Sequence, residues 1–283
     1  MTRYALRSGE YLAISSDAIR RDEGGMFFMM GPPPPDNERL GAVAVVHIRG
    51  ALAHFCTDDG DSYEAIVRRV GAAMKDEDGD GKLPVAVVLR IESPGGVVAG
   101  LNETVKRLRR MSEASGVPLV AYVDEMAASA AYAIACSCSD IIAPPSAVVG
   151  SVGVISTIVS QSGADQQMGL DFRLITSGAR KADGHLHAPI SDAAVRAETE
   201  RVEELASQFY AIAGAARRMA PAKLAGLQAA IYLGGKARKV GLVDSVMSWE
   251  DVLATLQARA EKSLSGPQAD AQGDGNKTDR RAK

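Results

Sequence analysis

Apolar residues cluster along the middle of the chain in short unbroken runs, separated by stretches of helical spacing. Ala42–Ile48 is a Val-rich run, Pro84–Ile91 a second and Pro118–Val123 a third, all of strand length and apolar at nearly consecutive positions. A strand apolar on both faces is covered on both sides, which predicts a parallel sheet with helical crossovers. Helical segments fall between these runs: Ser62–Lys75 and Val97–Met111 carry apolar residues at helical spacing, and a helix of small residues opens near Ser129. Short strands are predicted around Asp140–Ala143, Ala147–Ile155 and Phe172–Thr176, and helices dominate from Ser191 to Arg218 and beyond. The expected class is α/β, with repeated βαβ units and a mainly helical C-terminal part.

Residues 1–38 show little periodicity and end near four consecutive prolines, Pro32–Pro35, a stiff connector. Residues 39–262 form the expected folded body, and 263–283, polar and poor in large apolar residues, a disordered tail. The 283 residues are 46% hydrophobic and 24% charged with a net charge of −3, so a globular core is expected and nucleic-acid binding is not. No run approaches the roughly 20 apolar residues of a membrane span, and the first residues lack a charged leader followed by an apolar stretch. The expectation is a cytoplasmic protein without a membrane anchor. Cys56, Cys136 and Cys138 read as free thiols in a reducing compartment.

Two sites suggest chemistry. Ser93-Pro94-Gly95-Gly96 directly follows a buried strand, and glycines at that edge turn backbone amides outward, as an oxyanion hole requires. An ordinary strand-to-helix turn has the same residues. Ser129, in Met126-Ala127-Ala128-Ser129-Ala130-Ala131-Tyr132, follows the next strand and opens the small-residue helix; it reads as a nucleophile or as a simple helix cap. A serine nucleophile needs a base. The histidines are His47, His54, His185 and His187, none lying between Ser129 and His185. Lysine serves instead when burial removes its charge, and Lys181 is the single lysine between Lys106 and Lys223. Gly150-Ser151-Val152-Gly153 places glycines inside an apolar strand, a sign of close backbone approach, to a substrate strand or another subunit. Asp76–Gly81 begins like a calcium loop, but position 12 is Val87 in a strand, so it reads as a solvated turn; Lys106–Arg110 reads as a solvated helix face. No metal or cofactor is expected.

Taken in order, Ser-Pro-Gly-Gly, Ala-Ser-Ala-Ala-Tyr, Gly-Ser-Val-Gly-Val and Ser-Gly-Ala-Arg-Lys resemble the signal peptide peptidase A family of serine peptidases over about Gly41–Leu256, and within it the bacteriophage head-maturation branch. The resemblance implies a Clp/crotonase fold and a Ser-Lys dyad in place of the Clp-type histidine. Carried onto this chain, Ser129 is the nucleophile and Lys181, 52 positions later, the general base. Gly95, Gly96 and Ala130 supply oxyanion amides, and Ser151 orients the amine. Ala130 and Ala131 depart from the glycine usual after the serine, which implies a tighter pocket or reduced activity. The implied partners are peptide or protein substrates, including capsid and scaffold proteins in an assembling phage head, and further copies in a ring that meet through the helices of Ser191–Leu256. Rival readings are a bacterial signal-peptide-type peptidase, an acyl-CoA enzyme of the crotonase type, and an inactive assembly protein.

Overall fold

The computed structural model describes the backbone of residues 11–14 and then residues 37–55 and 60–264, the last two as backbone. Cys56, the proline run and most of the polar tail lie outside the described residues. In chain order the elements are β1 (Tyr11–Ile14), β2 (Asn37–Leu40), β3 (Val43–Arg49), β4 (Ala51–Ala53), β5 (Gly60–Ser62), α1 (Tyr63–Ala73), β6 (Ala86–Ser93), β7 (Gly95–Val97), α2 (Leu101–Ser115), β8 (Leu119–Ala128) and α3 (Ala130–Ala135). There follow β9 (Asp140–Ala143), β10 (Val148–Gly150), β11 (Ile155–Ser156), α4 (Ser162–Gln167), α5 (Asp192–Arg217), α6 (Pro221–Ala225), β12 (Ile231–Leu233), α7 (Gly234–Val240), β13 (Ser245–Val246) and α8 (Trp249–Leu264).

The main sheet runs β12-β10-β8-β6-β3-β2, with β9 joined to β8 and β13 to β9. Its centre, β3-β6-β8, is parallel, as the three apolar runs require. Alternate residues go to opposite faces. Ala44, Val46, Ile48, Val87, Leu89, Ile91 and Leu119 pack into the larger core with α1, α2, α3 and α5, while Val43, Val45, Ala86, Val88 and Val120 meet Val252 and Leu256 of α8. Burial on both faces accounts for the unbroken apolar runs. The α/β class and its βαβ units are those expected.

A second, smaller sheet runs β11-β1-β7-β4-β5 and stands at the carboxyl end of the central strands. Tyr63, fully buried on α1, donates its hydroxyl proton to the Val97 carbonyl (2.5 Å) and so fixes β7 from below. Ser62 caps α1, accepting from the Ala65 amide at 3.2 Å.

Four expectations change. Ala147–Ile155 is not one strand: β10 ends at Gly150 and β11 begins only at Ile155, with irregular backbone between them. Val97 belongs to β7, and the following helix starts only at Leu101, after Gly100 turns the chain at φ 84°. β8 continues five residues beyond Val123, because Met126–Ala128 find a parallel partner in β10. Phe172–Thr176 is not a strand: it pairs with no described strand, and its backbone runs irregularly with exposed side chains. The Asp76–Gly81 segment is the expected turn, closed by Asp78, whose Oδ1 accepts from the Asp80 and Lys82 amides. The basic face of α2 is mostly solvated, except that Arg109 donates to the Cys136 carbonyl (2.6 Å).

Besides the pairing of β12 and β13, an ion pair ties the C-terminal elements to the sheet. Arg217, its side chain only 8% exposed, donates two 2.7 Å hydrogen bonds to Asp244, and Asp244 Oδ2 also accepts from the Ile141 amide of β9 at 2.8 Å. Burial pushes the Asp244 carboxyl up, but Arg217 and the Ile141 amide outweigh it and hold it below its ordinary value of 3.8. The pair therefore stabilises the fold fully above that value and loses its effect as pH falls through the lowered one. Asp244→Ala leaves a nearly buried guanidinium unpaired. It should cost roughly 2–3 kcal/mol at pH 7 by urea unfolding, with the gap to the parent closing below about pH 4.

Candidate active site

β8 delivers the chain to Ser129 and α3 carries it away, so the serine sits in a sharp strand-to-helix turn. Its backbone, at φ 55° and ψ −120°, lies where non-glycine residues are rare, a conformation costing on the order of 1–3 kcal/mol. The surroundings enforce it. The Ser129 amide donates to the Gly150 carbonyl (2.8 Å), the Ala133 amide donates to the Ser129 carbonyl (3.0 Å), and α3 is pinned by Tyr132, whose buried hydroxyl donates to the Leu242 carbonyl at 2.8 Å. Ser129 holds the N-cap position of α3, but its side chain makes no capping bond. Its Oγ donates only a long 3.4 Å bond to the Gly153 carbonyl. Backbone strain at a residue without a structural task is the pattern of a functional side chain held in place.

The glycine pair lies beside it. Ser93 of β6 is level with Ala127 of β8, and β7 follows directly, which brings Gly95 and Gly96 to the edge next to Ser129. Gly95 has φ 105°, and a Cβ on Gly96 would lie 1.8 Å from the Leu52 carbonyl oxygen, so both positions demand glycine. The Gly95 amide is engaged by Ser93 Oγ at 3.2 Å, while Ser93 donates to the Gly50 carbonyl at 2.6 Å. Gly96 and Ala130, the latter fully buried at the head of α3, remain as the other expected amide donors.

Ser151 follows with φ 52°, its amide donating to the Ala230 carbonyl at 3.1 Å. A Cβ on Gly150 would meet that same carbonyl oxygen at 2.4 Å, and one on Gly153 would meet the Ala229 Cβ at 3.0 Å. The close approach read from these glycines is thus made by the chain's own residues 229–231.

Lys181 sits in an exposed turn, its amide donating to the Gly178 carbonyl at 3.2 Å. Among the described contacts no hydrogen bond joins it to Ser129 or Ser151. Sequence reasoning passed over another pair: His187 Nδ1 lies 2.8 Å from Asp165 Oδ2, a carboxylate almost wholly buried, and its ring stacks on Phe172 at 3.9 Å. The 22-residue separation of Asp165 and His187 hid this pair, although a lone Asp in a polar stretch was a signal that could have been followed.

Behind Ser93 a cavity of about 550 Å³ is walled by Glu92, Asp124, Glu125 and Met126. Burial, then Glu125 and Asp124, raise the Glu92 carboxyl above its ordinary range. Burial likewise pushes the Cys136 thiol up to about 12, which keeps it an inert core residue.

Residues 111–263, more than half of the chain, match peptidase family S49. The chain belongs to that family. It is 26% identical over 269 residues to the head-tail preconnector protein GP5 of Enterobacteria phage P21, covering 90% of this chain and 52% of that protein. It is 25% identical over 195 residues to the capsid assembly protease C of Escherichia phage lambda, covering 69% of this chain and 43% of that one. The S49 chain thus spans about half the length of these curated relatives. A solved ClpP1 mutant from Listeria monocytogenes aligns with 74% of this chain and 94% of its own at 12% identity and a TM-score of 0.46. Among the described residues no helix of this S49 chain is long and apolar enough to cross a membrane.

Proposed function

We propose that the chain is a serine endopeptidase that cuts protein substrates through an acyl-enzyme, with Ser129 as nucleophile. The observation that carries this reading is the strained, uncapped Ser129 beside glycines whose backbones admit no side chain, in a chain of peptidase family S49. Lys181 is the base: neutral, it takes the hydroxyl proton as Oγ attacks the peptide carbonyl, and protonated, it gives that proton to the leaving amine. The Gly96 and Ala130 amides, with Gly95 once it releases Ser93, meet the oxyanion, and Ser151 orients the amine. Water then hydrolyses the ester with the same base. The phage relatives support capsid and scaffold proteins as the substrates, cut inside an assembling head.

A lysine base must be taken out of water, and Lys181 is exposed in the single chain. The stretch around it is unusually apolar for a surface: Phe172, Leu174 and Leu186 are exposed and Ile175 is 98% so. Further copies packed over this stretch, as in a ring, would cover both the apolar side chains and the amine. Ile175→Asp should accordingly shift the protein to smaller species in sedimentation velocity and lower activity with it. An unchanged sedimentation profile would remove this contact.

The His187–Asp165 pair favours a second base, because a carboxylate on Nδ1 leaves Nε2 free to accept a proton. Labelling with a fluorophosphonate, followed by peptide mapping, tests the common core of both readings. The modification should fall on Ser129 and be slowed in Lys181→Ala, whereas slowing in His187→Ala alone transfers the role to the histidine. Labelling elsewhere, or nowhere, ends the serine-peptidase reading.

A further inference from the structure

Residues 11–14 lie between two edges that are far apart in sequence. On one side β1 runs antiparallel to β7, with Leu12 opposite Val97, Ala13 opposite Gly96 and Ile14 opposite Gly95. On the other it runs antiparallel to β11, with Tyr11 opposite Ser156 and Leu12 opposite Ile155. Without β1, β7 would keep only β4, and β11 would lose its one partner in that sheet. β1 therefore fills a slot of single-strand width between two otherwise open main-chain edges. Such a slot accepts any extended segment through backbone hydrogen bonds that read no side chains.

This slot is also the approach to Ser129. Its β7 wall carries the proposed oxyanion glycines, and its β11 wall begins two residues after Gly153, whose carbonyl accepts the Ser129 proton. Ser129 itself is only 1% exposed, a poor state for a nucleophile that must meet a peptide. We infer that residues 11–14 are a built-in blocker of the peptide slot, an autoinhibitory strand that a protein substrate has to displace. The inference rests on the reading of Ser129 as the peptidase nucleophile. Because the blocker belongs to the same chain, it competes at an effective concentration that a free peptide matches only near the millimolar range. The enzyme is thereby quiet toward dilute polypeptides and active where substrate is concentrated, as it is inside a closed shell.

Facing residues of antiparallel strands have Cα atoms about 4.5–5.5 Å apart, within disulfide reach. In the full chain, Leu12→Cys with Ile155→Cys should crosslink on mild oxidation, shown by the linked tryptic peptide. The oxidised protein should then digest fluorescein-labelled casein at least tenfold more slowly than the same protein after reduction. Ala13→Pro, which removes a strand amide, should digest casein roughly tenfold faster than the parent at low casein, with the thermal midpoint unchanged. Failure to crosslink in a protein that digests casein overturns the blocker and spares the peptidase reading. A crosslink without effect on digestion also overturns it, as does trimming of the parent chain near residue 14, which would make the strand a substrate. Casein left intact by every form, Ala13→Pro included, overturns the peptidase reading and the blocker with it.

Discussion

Ser129→Ala is expected to lower peptide hydrolysis at least about 10³-fold while leaving the fold intact, because the acyl-enzyme cannot form without the hydroxyl. The stability cost is small on the same geometry. Ser129 Oγ makes one 3.4 Å bond and no cap, so its loss should cost roughly 0.5 kcal/mol. Ser129→Gly separates the two roles further. Glycine accepts φ 55° without strain, so this variant should be more stable than the alanine one by about 1 kcal/mol and equally inactive. Casein digestion and thermal melting read both effects, and near-normal turnover in either variant removes Ser129 from the mechanism. Lys181→Ala should silence the enzyme to a similar degree. If His187 is the base instead, Lys181→Ala keeps activity and His187→Ala loses it.

The central sheet was legible because burial on both faces leaves a mark in sequence. Val43–Ile48, Ala86–Ile91 and Leu119–Val123 have few polar positions to confuse the reading. β1 and β7 left no such mark. β7 is three residues, two of them glycine, and β1 lies in a stretch without periodicity whose pairing depends on backbone edges brought together by the rest of the fold. Phe172–Thr176 misled for the converse reason: its side chains suit a strand, but strand formation needs an edge to pair with, and the segment joins neither described sheet. At the site, the small residues around Ser129 and the glycine pair announced themselves through steric demands that only small side chains meet. The Gly95–Ser93 bond and the Asp165–His187 pair did not, since hydrogen-bond partners across loops are set by tertiary position.

Gly96→Ala should be among the most damaging single-methyl additions in the chain. The new Cβ would lie 1.8 Å from the Leu52 carbonyl oxygen and 2.5 Å from both Leu52 C and Leu52 N, all backbone atoms of β4 that no rotamer change can move aside. β4 and β7 must therefore part, and overpacking of this kind costs roughly 3 kcal/mol, lowering the thermal midpoint by about 5–10 °C. Parting the strands also shifts the Gly96 amide relative to Ser129. Displacing an oxyanion donor by about 1 Å costs on the order of 10²-fold in turnover, so surviving folded enzyme should still be slow per molecule. The control is Gly235→Ala in α7, where an added Cβ meets nothing within 4 Å and helix propensity favours alanine. That variant should match or slightly exceed the parent in stability and keep its turnover. A Gly96→Ala protein that melts and turns over like the Gly235→Ala one would mean that β7 does not run against Leu52, and the placement of the oxyanion edge beside Ser129 would fall with it.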